Sequence, residues 1–242
     1  NNDGSANWAT AWTETDGNGN VPGPTAGFVW ITGGALQFRH QTTDAADSFD
    51  TAVYSRNDGT NNWSGNWVET GDDGTATGGT VTVDDGDNNL GNFGPGSVGR
   101  SITRTAAVVG TSATISFALS DQGIDNNEGI IAEYDLGLGA GFQEIQRITN
   151  NTPAGTNPLT INTTGASTIT LRFRNFDTGN GIWEAGDNAG VDNVNITFNN
   201  TVGARIQRTV NLSNAENPTL TFTTAAANLD NPGDVLVLEA SS

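Results

Sequence analysis

The chain has 242 residues, 34% of them apolar and 32 of them glycine, with a formal charge of −18 at pH 7. That length accommodates one large β domain or two smaller ones, with a substantial core. The charge argues against partners that demand a basic footprint, namely nucleic acid and anionic membrane surfaces. All nine basic residues are arginine, and Cys and Met are absent. No disulfide framework can form, so stability has to come from core size and bound metal. No apolar run is long enough to predict membrane insertion as a helix, and the residue usage suits an extracellular or cell-surface setting.

Along the chain, apolar residues alternate and helical periodicity is scarce. Residues 80–83 (TVTV), 112–119 (SATISFAL), 129–136 (GIIAEYDL), 167–176 (STITLRFRNF), 191–198 (VDNVNITF), 217–224 (NPTLTFTT) and 234–240 (DVLVLEA) are predicted strands with one buried face. Clusters of Gly, Asn, Asp and Pro separate them. In STITLRFRNF, Ile169, Leu171 and Phe173 share one face, and Thr170, Arg172 and Arg174 share the other. The pattern predicts an all-β fold, an antiparallel β-sandwich of jelly-roll type, with any helix confined to a short turn.

Two segments occur twice. NNDGSANWATAWTETDGNG (1–19) recurs as RNDGTNNWSGNWVETGDDG (56–74), so that Trp8 corresponds to Trp63, Trp12 to Trp67 and Glu14 to Glu69. Residues 99–137 recur as 203–241, so that Ile102 corresponds to Ile206, Arg104–Thr105 to Arg208–Thr209, and Phe117 to Phe222. Internal repetition on this scale indicates repeated structural units. Residues 47–199 hold an opening, a middle and an end, as expected of a complete module. Residues 1–46 resemble only an opening and residues 200–242 only a middle. The expectation is a second module, split around the first and completed by copies of the chain or by adjacent modules of a longer polypeptide through strand addition.

The stretch DTGNGIWEAGD (177–187) is the leading metal candidate. Asp177, Asn180, Glu184 and Asp187 are hard oxygen donors, and the glycines allow a tight loop. Its spacing departs from that of an EF-hand. Asp192, heading the last strand of the inner module, is expected near Asn57 or Asp58 at the module's opening, and Asp72 and Asp73 add further carboxylates. With no Cys and a single His, Ca²⁺ is the expected cofactor over transition metals. The alternative for each residue is a solvated turn. Trp8, Trp12, Trp63 and Trp67 recur and are expected to pack. Trp30 and Trp183 do not recur and are the candidates for stacking a glycan, with Trp183 as a cover for the acidic loop the competing reading. No catalytic set forms around His40, the only histidine. Glu133 and Asp135 share a strand face but lack the third carboxylate of a glycosidase strand motif, so no enzyme is expected. Arg104 and Arg208 are expected to bridge carboxylates, with Glu69 and Glu133 as candidate partners.

The ordered set NDG-x-x-NW-x-x-x-W-x-E, SITRT…SATISFAL, EGIIAEYDLG and GVDNVNITF resembles jelly-roll modules of large secreted bacterial surface proteins. Those modules are similar to MAM-type and carbohydrate-binding sandwiches. The resemblance covers 47–199 and part of the flanks. It implies an extracellular, calcium-stabilised module in adhesins or fibres. The expected function is a structural or adhesive protein that builds a surface fibre or array; the alternative is a carbohydrate-binding module.

Overall fold

The computed structural model describes residues 9–15, 29–33, 35–38, 43–84, 89–90, 99–122, 124–125, 127–150, 152, 158–178, 183, 187–199, 205–213, 219 and 221–222. Strands dominate, and no helix occurs among these residues. In chain order they are β1 (Thr13–Thr15), β2 (Val29–Thr32), β3 (Ala35–Phe38), β4 (Thr43–Asp47), β5 (Val68–Thr70), β6 (Val83–Asp84), β7 (Asn89–Leu90) and β8 (Ser101–Ala107). There follow β9 (Ser112–Gln122), β10 (Glu128–Asp135), β11 (Gln143–Ile148), β12 (Leu159–Asn162), β13 (Thr168–Asp177), β14 (Asn188–Asn199) and β15 (Arg205–Gln207). The chain divides into two compact units, Glu14–Ile206 and Asn1–Thr13 with Gln207–Ser242.

The larger unit is an antiparallel β-sandwich. One sheet has the order β11-β10-β13-β8-β5; the other runs β12-β9-β14-β7-β6, with β4 also on β14. The inner faces follow the alternation read from the sequence. Along β13, Ile169, Leu171 and Phe173 are buried, and along β9 Ala113, Ile115, Phe117 and Leu119 are. These residues join one hydrophobic core with Val191, Val194, Ile196 and Phe198 of β14. Phe117 and Phe173 meet edge to face across the sandwich, with centroids 5.4 Å apart, a favoured aromatic geometry.

Several elements differ from expectation. The strand predicted at 80–83 is reduced to Val83–Asp84. In place of a strand at 217–224, the described residues Thr219, Thr221 and Phe222 carry no regular structure, and 234–240 lie outside the described residues. β4 and β8 are strands that the apolar alternation does not predict. β8 carries a charged residue at an inward position, Arg104 between Ile102 and Ala106, which breaks the binary pattern that marks a half-buried strand.

Separately, β2 and β3 form a hairpin, and β1 pairs with β15.

Candidate functional site

The opening of the inner repeat is held by a buried polar centre. Arg104 Nη1 lies 2.6 Å from Asp47 Oδ2, with side-chain exposures of 1% and 0%. Asp47 also accepts the Trp67 indole N–H at 2.9 Å and the Phe49 amide at 3.0 Å. Arg104 Nε donates to the Gly65 carbonyl at 2.8 Å. Its guanidinium carbon sits 5.0 Å from the Trp63 ring centroid and 5.7 Å from that of Trp67, a cation–π arrangement. Burial pushes the Arg104 guanidinium down to about 10, against the opposing pull of Asp47, so it stays charged at neutral pH. Burial pushes the Asp47 carboxyl up, against the Trp67 and Phe49 donors and the Arg104 charge. Asp47 is therefore the partner of Arg104, which corrects the expectation of Glu69 or Glu133. Glu69 instead bonds Tyr54 and the Gly74 amide. Glu133 takes Arg172 at 2.7 Å and Arg174 at 3.0 Å. Register decides this: Glu133 faces Arg172 directly on β13, and opposite residues in an antiparallel pair are the ones that meet.

The outer copy repeats part of this centre. Arg208 Nε donates to Thr10 O at 2.8 Å, as Arg104 does to Gly65. The Ala9 amide donates to Thr209 O at 2.9 Å, as Ser64 does to Thr105 at 2.8 Å. Arg208 lies 5.6 Å from the Trp12 ring centroid, as Arg104 lies near Trp67. Each of these pairs is related by the sequence offsets of the two repeats. Exposure does not repeat. Trp12 is 46% exposed and Phe222 58%, whereas Trp67 is 2% and Phe117 1%.

The acidic candidates separate into three places. At the first, Asp58 accepts the amide and hydroxyl of Ser48 and pairs with Arg56 at 2.7 Å. Asn57 Oδ1 accepts the Trp63 amide. Asp58, Asp47, Ser48, Asn193 and Asn195 line a cleft of about 190 Å³. It forms because β14 bulges between Asp192 and Asn195, with Asn193 at φ +50°, and bulges re-aim side chains. Asp192 bonds the backbone and side chain of Asn193. Burial pushes its carboxyl up, as does the charge of Asp50.

At the second, Asp72 and Asp73 close their own loop. Asp72 Oδ2 accepts the amides of Thr80 at 2.7 Å and Val81 at 2.6 Å, and Asp73 Oδ1 accepts that of Thr75 at 2.8 Å. The Asp73 bond is an Asx-type turn bond, whereas those of Asp72 reach eight and nine residues along the chain to close the loop.

The third is the 177–187 loop. Asp177 ends β13 and Asp187 precedes β14, while Asn180 and Glu184 lie outside the described residues. Trp183 is 1% exposed and donates its indole N–H to the Phe176 carbonyl at 3.3 Å, so it offers no open ring face to a sugar. Trp30 lies on β2, with its side chain outside the described set. The sequence did not point to Glu128, which faces Asp177 across β10 and β13. Glu128 is 1% exposed. Its Oε1 accepts the Asp125 amide at 3.0 Å, and its Oε2 has no hydrogen-bond donor. Burial raises its carboxyl, which the Asp125 amide opposes and the charges of Asp187 and Asp125 reinforce. Among the described residues, no group of three or more His, Asp or Glu side chains is gathered closely enough to hold a metal by itself.

These features define an all-β protein built on an antiparallel sandwich, with a buried Arg–Asp–Trp centre at the opening of its repeat. No protein-family model matches the chain, and no curated protein matches it significantly.

Proposed function

We propose that this is an extracellular structural or adhesive protein that assembles into a fibre or array by strand or module complementation, with calcium bound to its acidic loops. The observation that carries the assembly reading is the contrast between the two copies of the repeat. The terminal unit reproduces two of the hydrogen bonds of the inner opening and its Arg–Trp proximity. Yet Trp12 and Phe222 are open to solvent where Trp67 and Phe117 are core. Side chains of that size, patterned for a core, gain on the order of 2 kcal/mol each when covered. Strands of an adjacent module or of a second copy are the natural cover, by β-addition.

The test is electron microscopy and light scattering of the purified chain across protein and calcium concentrations. Filaments, arrays or discrete oligomers are expected. Monodisperse single chains under all conditions overturn the reading.

A further inference from the structure

The two copies of the repeat run into matching strands. In the inner copy β5 pairs with residues 101–103 of β8, and β6 and β7 follow β5 as a hairpin. In the outer copy β1 holds the position of β5, and β15 holds that of residues 101–103; these two also pair, and β2 and β3 follow β1 as a hairpin. The apolar pattern repeats as well. Ile31 stands opposite Leu36 on β2 and β3, as Val83 stands opposite Leu90 on β6 and β7. The neighbours of the two hairpins differ. β7 joins β14, with Leu90 opposite Val191, and Val81 and Val83 belong to the core. Among the described residues, β3 pairs with β2 alone. Val29 and Ile31 share one face of the hairpin with Leu36 and Phe38. Val29 is buried, but Ile31, Leu36 and Phe38 are 39–49% exposed. A two-stranded hairpin is marginal in water by itself, and an open strand edge templates pairing with another chain.

We propose that the edge of β3 receives an unpaired strand of the β14 type from a neighbouring chain, docked there as β14 docks on β7. β14 shows what such a strand carries: Val191, Val194, Ile196 and Phe198 all lie in the core. A segment with that alternation, laid along β3, extends the hairpin to three strands and sets its apolar side chains beside Leu36 and Phe38. Main-chain hydrogen bonds along the edge give the contact affinity, and the alternate side chains give it specificity. The β14 of a second copy is not the donor. It lies between β9 on one side and β4 and β7 on the other, and its release would uncover the same core residues. This inference rests on the reading of assembly by complementation, and it names the place and the chemistry of the partner.

The experiment uses the full chain, with an end-capped synthetic peptide of residues 188–199 as the probe. Titration calorimetry measures binding, and hydrogen exchange read by mass spectrometry maps it. Saturable binding with slowed exchange over residues 29–38 is expected. A peptide carrying Val194→Ser, Ile196→Ser and Phe198→Ser should not bind. Leu36→Glu puts a charge in the docked face and should weaken binding at least about tenfold, as loss of a central apolar contact does. Phe38→Glu provides the same readout if Leu36→Glu does not fold, and an unchanged melting temperature shows that each variant is folded. Leu138→Glu, at an exposed apolar residue outside the hairpin, should bind like the wild type. Slowed exchange confined to the strands around β14 would mean that the peptide enters the sandwich in place of β14, which overturns the proposal. If residues 29–38 become protected as protein concentration rises without peptide, and the peptide does not compete, the occupant is a second copy and the proposed donor is wrong. No binding by a chain that still assembles removes the docking site while the assembly reading stands. Binding by a chain that stays monodisperse upholds the docking site and removes self-assembly. If the peptide does not bind and the chain does not assemble, both are overturned.

Discussion

Arg104 and Asp47 meet 2.6 Å apart with almost no exposure, although 57 positions separate them in the chain. Asp47 is the hub of the contact, since it also holds the Trp67 indole and the Phe49 amide. Removing one member of a buried pair leaves an uncompensated charge and costs about 3–5 kcal/mol. Asp47→Ala is expected to be the worse of the two changes, because it also strands two N–H donors at about 1–3 kcal/mol each. Arg104→Met should be milder, because methionine fills much of the same volume without charge. Urea denaturation of both variants checks the order; equal midpoints with the wild type would remove Asp47 from its central place.

Trp67 and Trp12 occupy equivalent positions in different surroundings. Trp67→Ala should cost about 3–5 kcal/mol, as large core truncations do. Trp12→Ala should change the melting temperature little, because the ring is already half open to solvent. It should instead abolish assembly, since aromatic anchors carry much of an interface's energy. Light scattering beside calorimetry separates the two effects.

A third expectation concerns the turn at Gly59. A Cβ there would overlap the Asp44 carbonyl oxygen and crowd the Ala46 amide, where the loop hydrogen-bonds to β4 through Asp58 and Asn61. Overpacking against backbone costs about 1–3 kcal/mol or more. Gly59→Ala should therefore lower stability by at least that amount. Gly65→Ala meets nothing within 4 Å and should be neutral or slightly stabilising.

Acid stability should depend on Glu133. Burial alone would raise its carboxyl, but hydrogen bonds and charge from Arg174 and Arg172 outweigh that and hold it below the usual glutamate value of 4.5. A carboxylate depressed in the folded state stabilises above its unfolded pKa, and that contribution is lost as pH falls through the folded value. The wild type should thus lose stability steadily as pH drops below about 4.5. Glu133→Gln should be weaker at neutral pH and show a shallower acid limb. Parallel pH–stability curves for the two proteins would contradict this assignment.

How far the sequence revealed the fold depended on how regular each strand's pattern is. β9, the end of β14 and β13 as far as Phe173 alternate regularly, and each was legible because one face is apolar over that stretch. β8 was not, because Arg104 stands where a hydrophobic residue is expected. That substitution becomes tolerable only once Asp47 is brought to it. The same limit applies to the acidic residues. Asp177 and Asp187 stood out as neighbours in a glycine-rich loop, but Glu128 lies on a different strand and became visible only through its register with Asp177. Asp72 and Asp73 stood out as a pair, and local bonding to their own loop was invisible from composition.

By itself the sequence determined the all-β class, the inner faces of the regular strands and the offsets of the two repeats. These are properties of local alternation and of self-comparison, which need no partner. Only the tertiary structure decided which carboxylate neutralises which arginine, which repeated tryptophan is core and which is exposed, and which buried oxygen is left without a donor. Those depend on strand register and on solvent exclusion, and both arise from contacts between segments distant in the chain.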